Sequence, residues 1–287
     1  MIYFVCIVFV EYHIKITQPK EKLMSSIYLP FSKTIDLNQR NDPWIIMVHG
    51  FSHNHKYFDE QVSEFHKDYR IFLTDLRGHG DSTQVGGPYG VEEYVDDLQS
   101  IIEKVGIQKA HLWGTHTGSA IGLVLALRRP ELFSSLVLEG TFLPGFPMPR
   151  VGELLDRARK LAQTQSLDEA LNDWFAHADW FDYANDHPKE CRRDEFRALT
   201  MEFSGLTWLS ELTPKPVTQV ADNLRLIRQP VLFYNGEYDL IDFKNAAKKL
   251  EEGLPNGQGA VIKHAGGFPG WENPIEVNRL VRQFLTG

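Results

Sequence analysis

The stretch L-W-G-T-H-T-G-S-A-I-G, residues 112–122, decides how this chain folds. Residues 110–113 read as a short buried strand, and residues 119–128 (S-A-I-G-L-V-L-A-L-R) stay apolar long enough for a buried helix. Only Thr115, His116 and Thr117 separate them, and Gly114 and Gly118 flank that gap. A reversal this tight presses backbone against backbone, which glycine allows because it carries no Cβ. His116 therefore stands at the tip of a strand–turn–helix corner.

On either side of this corner, Trp44–Val48, the run Y-R-I-F-L-T at 69–74, S-S-L-V-L-E at 134–139 and V-L-F-Y-N at 231–235 all read as strands. Their apolar residues are continuous, as expected of strands covered on both faces. Val91–Val105 carries apolar residues at 91, 94, 95, 98, 101, 102 and 105, an amphipathic helix that Gly106 ends. Residues 246–254 and 274–285 read as further helices and 260–263 as the last strand. Strands alternating with helices predict an α/β fold, a doubly wound and mostly parallel sheet in which 44–48, 110–113 and 231–235 are neighbours. Two β-rich runs between 26 and 37 read as an antiparallel opening hairpin. From Phe146 to Asp222 the texture turns helical, charged and aromatic. It predicts a helical cap at 146–222 inserted into a core of 24–145 and 223–287, with 1–23 as an N-terminal extension. Most of Trp174, Phe175, Trp180, Phe181, Tyr183 and Trp208 are expected to join cap to core, and a few to line an apolar cleft.

The composition, 43% hydrophobic and 24% charged over 287 residues, is that of an ordinary globular protein. A net charge of −8 argues against nucleic acid or an anionic membrane surface as the main partner and says little more, while the apolar cleft under the cap points to a small molecule. The first ten residues are apolar but are half the ~20 that span a bilayer. No basic residue precedes them and no small-residue cleavage site follows, so neither an anchor nor a secretory signal is expected. Residues 1–22 are expected to be dispensable, and read either as an extra β-strand or as the product of a start placed too early, with Met24 as the natural beginning. Cys6 and Cys191 cannot build a disulfide framework and lack metal-ligand spacing, which points to a reducing, cytoplasmic setting. No phosphate-binding glycine loop follows a strand, so no cofactor is expected.

Four more motifs follow in order: H-G-F at 49–51, D-L-R-G-H-G-D-S at 75–82, G-E-Y-D at 236–239 and A-G-G-F-P-G-W-E-N-P at 265–274. With the G-x-H-x-G corner they resemble the α/β-hydrolase superfamily, in its capped branch of esterases, epoxide hydrolases and C–C hydrolases, over nearly the whole chain from Trp44. The resemblance implies a nucleophile elbow in which His116 takes the place of serine. It also implies an oxyanion hole from the N–H groups of Phe51 and Thr117, an acid at Asp239, and Glu139 as a reserve acid. Gly267 stands where the family has its catalytic histidine. Arg77, His79 and Asp81 fall in a segment whose usual role is structural.

Hydrolysis by serine needs a hydroxyl, an imidazole and a carboxylate, and two of the three are gone, leaving a degenerate triad. Thr115, Thr117 and Ser119 do not substitute, because only the corner's tip faces the pocket. The two changes read as coupled: imidazole is larger than a hydroxymethyl group, and Gly267 frees the volume into which it would grow. His116 would then reach Asp239, giving a His–Asp dyad beside an oxyanion hole, suited to proton abstraction or water activation on a small apolar or aromatic carbonyl compound. The competing reading is a ligand-binding pseudoenzyme in which His116 is merely packed. A metal site from His53, His55 and His116 is set aside because polar loop histidines are unremarkable, and His264 is expected to end the last strand. No metal is expected.

Overall fold

The computed structural model describes residues 30–35 and 42–287. The N-terminal extension, Cys6, Met24 and residues 26–29 and 36–37 of the expected hairpin lie outside the described residues. Strands β1 (Ser32–Ile35), β2 (Trp44–Val48), β3 (Arg70–Thr74), β4 (Ala110–Thr115), β5 (Phe133–Glu139), β6 (Val231–Gly236) and β7 (Gly257–Ile262) form one sheet in the order β1-β3-β2-β4-β5-β6-β7. All pairs are parallel except β1 with β3. The expected mostly parallel sheet is thus present, with one correction. β2 and β4 are neighbours, but β5 lies between β4 and β6. All these strands are equally apolar, so their composition carries no order.

Side chains alternate along each strand between two cores. Ile45 and Met47 pack on one face with Phe65, Val277 and Val281, while Ile46 and Val48 pack on the other with Leu98, Ile121 and Leu250. The helices that supply this cover are α1 (Asp59–Phe65), α2 (Val91–Val105) and α3 (Thr117–Arg128) before the long insertion. Between β5 and β6 come α4 (Pro149–Thr164), α5 (Leu167–His177), α6 (Asp182–Asp186), α7 (Arg193–Met201) and α8 (Leu206–Leu209). The chain closes with α9 (Ile241–Gly253), α10 (Pro269–Glu272) and α11 (Pro274–Thr286). Gly106 ends α2 in the left-handed region at φ 81°, where glycine pays no steric penalty. β7 starts three residues earlier than the apolar pattern suggests, because Gly257 and Gly259 hide the strand on an exposed edge. Among the described residues no helix is long and apolar enough to cross a membrane. Cys191 is a free, buried thiol.

The register places Val48 beside both Thr74 and Gly114, Thr115 beside Glu139, and Glu139 beside Tyr234. The loops that leave these C-terminal strand ends carry Phe51, His116, Gly140 and Asp239, so one edge of the sheet gathers them, as parallel sheets commonly do.

Candidate active site

β4 turns into α3 through His116, whose backbone sits at φ 46°, ψ −106°, a strained conformation for a residue with a Cβ. A Cβ on Gly118 would lie 2.0 Å from the Val48 carbonyl oxygen, and one on Gly114 would lie 2.4 Å from the Gly118 carbonyl carbon. Glycine is therefore obligatory at both positions. The His116 N–H donates to the Glu139 carbonyl at 2.9 Å. The Ser119 hydroxyl donates to the His116 carbonyl at 2.5 Å, which ties it into the corner.

The imidazole lies between Gly50 and Gly140, and a Cβ on Gly140 would come within 2.7 Å of its Nε2. Phe243, Phe268 and Trp180 enclose it, with ring centroids 5.1, 5.0 and 6.0 Å away. Burial lowers its pKa to about 3, with the Gly267 backbone as the compensating contact. Nε2 is buried and has no hydrogen-bond partner. A ring that holds no proton charge near neutrality is a weak base, but as a neutral imidazole it can polarise a carbonyl through its N–H.

The expected partner is engaged elsewhere. Asp239 accepts from Asn235 Nδ2 at 2.6 Å and from the Leu240 N–H at 2.7 Å, and no hydrogen bond joins it to His116. Burial raises its pKa to about 7. The expected exchange of volume also differs. The imidazole does lie against the Gly267 backbone. Yet the space a side chain at 267 would enter is filled by Trp180, whose Cδ1 and carbonyl oxygen would stand 2.7 and 2.8 Å from a Cβ there. Sequence spacing gives no view of this contact, because Trp180 arrives from the turn between α5 and α6.

Glu139 turns away from His116. It accepts from Tyr57 Oη at 2.5 Å, Tyr234 Oη at 3.0 Å and the Gly270 N–H at 2.8 Å. Burial raises its pKa to about 7. Glu272, in the 265–274 motif, accepts from the N–H groups of Gly266 (2.6 Å) and Phe268 (3.2 Å), and burial raises its pKa to about 8. The charges of Asp239 and Glu139 add to that rise, so the three carboxyls form one buried acidic group.

A cavity of about 170 Å³ opens over the corner, and His116, Thr117, Phe51 and Ser52 share its wall with Trp174, Trp180 and Leu155 of the inserted segment. Among the described residues no hydrogen bond occupies the N–H of Phe51 or of Thr117. Asp239, Glu139 and Gly267 are not on the wall. The D-L-R-G-H-G-D-S loop is held by Arg77, which donates to both oxygens of Asp97 at 2.6 Å. His53, His55 and His116 do not assemble. His53 stacks on Phe196 at 5.3 Å, and His55 Nδ1 bonds Asp75 at 3.0 Å. The metal-competent group among the described residues is His55 with Asp75 and Asp81, where Asp75 already accepts the N–H groups of His55 and Asp81. His264 lies just past β7 and is exposed.

Comparison with known proteins agrees with this architecture. A family model described as the alpha/beta hydrolase fold matches residues 43–274. The AB hydrolase superfamily protein YisY of Bacillus subtilis is 25% identical over 265 residues, covering 84% of this chain and 90% of its own. The 2-hydroxy-6-oxononadienedioate/2-hydroxy-6-oxononatrienedioate hydrolase of Cupriavidus pinatubonensis is 26% identical over 223 residues, or 76% of each chain. Among solved structures, the enol-lactonase of Burkholderia xenovorans superposes with a TM-score of 0.76 at 20% identity, over 90% of this chain and 96% of its own.

Proposed function

The chain belongs to the alpha/beta hydrolase fold family, and on that premise we propose that it acts on a small, largely apolar or aromatic carbonyl compound without forming an acyl-enzyme. In this reading the compound fills the cavity, its carbonyl oxygen rests on the N–H groups of Phe51 and Thr117, and His116 works on it as a neutral imidazole, by acid–base chemistry. Residues 146–222 act as the cap and 24–145 with 223–287 as the core. The observation that carries the reading is the meeting of His116 with two unpartnered N–H groups on one wall. The hydrolase of Cupriavidus pinatubonensis supports a small molecule as substrate. Asp239 has no part in this chemistry, because Asn235 and Leu240 already hold it. Serine hydrolysis is left without its hydroxyl at 116 and its imidazole at 267, so a fluorophosphonate probe is expected to label no serine.

A second reading, a binding protein without turnover, is favoured by the buried, partnerless Nε2 and the engaged Asp239, which leave no relay for a proton. One comparison separates the two. Wild type, His116→Ala and Asp239→Asn are offered a metabolite pool, with retained compounds identified by native mass spectrometry and then assayed for turnover. The enzyme reading expects His116→Ala to lose ~100-fold or more in turnover with affinity kept within about tenfold, as on removal of a positioned acid–base group. It expects Asp239→Asn to stay close to wild type. Turnover absent from wild type, with only affinity altered in His116→Ala, establishes the binding protein.

A further inference from the structure

Ser52 follows Phe51 on the cavity wall, 1% exposed, with its backbone at φ 61°. Left-handed backbone costs a serine of order 1–2 kcal/mol that glycine would avoid. Its Oγ accepts a hydrogen bond from Trp174 Nε1 at 3.1 Å, which occupies a lone pair and leaves the hydroxyl proton to donate. Among the described residues that proton has no acceptor. A strained backbone and an unused buried donor at the same residue point to a ligand atom that takes the proton.

The wall around it carries no Asp, Glu, Lys or Arg among the described residues. A carboxylate placed there would lose its hydration and find no cation. The cavity's volume, about 170 Å³, is close to the ~150 Å³ of an apolar cavity that holds benzene. We propose that Ser52 is a ligand-binding residue, donating its hydroxyl to a second oxygen of an uncharged, single-ring compound whose carbonyl rests on Phe51 and Thr117. The assignment rests on the small-molecule reading above and adds to it the ligand's charge, size and second acceptor.

Three matched probes test it: phenylacetone with one oxygen, methyl phenylacetate with two, and phenylacetate with a charge. Binding is measured by calorimetry to wild type and to Ser52→Gly, which removes the hydroxyl while suiting the left-handed backbone. Wild type is expected to prefer methyl phenylacetate over phenylacetone by about tenfold, one hydrogen bond's worth, and to give no signal with phenylacetate. Ser52→Gly is expected to erase the preference and leave phenylacetone within about twofold, a split that a purely structural serine would not produce. A preference equal in both proteins overturns the role of Ser52. Phenylacetate binding as tightly as its methyl ester overturns the charge assignment. Failure of all three probes while the protein still retains compounds from the metabolite pool overturns the size and charge assignment alone. Failure of both experiments removes the small-molecule reading as well.

Discussion

Glu272 makes a test of how this protein answers to alkali. Its pKa stands at about 8 in the folded chain, while Glu139 and Asp239 stand at about 7. A carboxyl raised on folding contributes its stability fully below its unfolded value near 4, and loses it as pH climbs to the folded value, at up to about 1.4 kcal/mol per pH unit. Glu272→Gln keeps an oxygen for the Gly266 and Phe268 N–H groups and cannot ionise. Urea unfolding is expected to find the variant at least as stable as wild type at about pH 8.5, and its advantage smaller at about pH 5. A variant that loses more at the higher pH would show that the native group is a carboxylate. The steric demands of the corner are sharper still: Gly118→Ala drives a Cβ into the Val48 carbonyl and is expected to cost about 3 kcal/mol or more, read from the same titration. That requirement was legible in the sequence, since two glycines four positions apart, between an apolar strand and an apolar helix, leave few other folds for the segment. The partners of Asp239 were not legible in its motif, because Asn235 competes for it from the end of the same strand.

Helices and strands divide by how much of their signal is local. α2 could be read to its end residues because an apolar stripe, a preceding glycine and a left-handed Gly106 all mark it. The edge strand β7 was blurred by its glycines, and the place of β5 between β4 and β6 is set by crossovers that no single segment encodes. The helical texture between β5 and β6, where α4–α8 lie, was legible, whereas the turn Asp179–Phe181 that delivers Trp180 was not. Trp180 contacts Trp174 and Phe243 as well as His116, at centroid distances of 5.3, 5.5 and 6.0 Å. Trp180→Ala is therefore expected to destabilise the fold by about 3–5 kcal/mol, the range for emptying a buried indole. A loss under about 1 kcal/mol by calorimetric or urea unfolding would mean that the inserted segment closes over the gap.

Across the whole molecule the buried acids meet an opposing set of buried imidazoles. His79 and His116 stand at about 3 and His49 and His53 are also lowered, each mainly through burial. A histidine lowered on folding contributes fully above its unfolded value near 6.5 and loses that contribution as pH falls toward the folded value. From roughly pH 4.5 to 6.5 the two sets pull against each other; above that range only the carboxyls act, and below it only the imidazoles. Melting temperature followed from pH 3.5 to 8.5 is expected to peak on a shoulder near about pH 5–6.5 and to fall on both sides. A maximum above about pH 7.5 would contradict the uncharged state of the acidic group.

The contact of Trp180 with Gly267 also constrains which sequences can be reached from this one. A histidine placed at 267 would be opposed at once, because its first side-chain carbon would land on the indole and on the Trp180 carbonyl. A smaller residue at 180 relieves the clash with the indole but not the one with the backbone carbonyl, and it removes the packing that closes the site, so a change at either position alone carries a penalty. The lock can be measured as epistasis. Gly267→Ala is expected to be costly alone and to cost about 1 kcal/mol or more less in a Trp180→Ala background, the size of coupling found between residues in contact. Any side chain at 267 therefore asks for an adjustment of the backbone at 180 as well as of the indole.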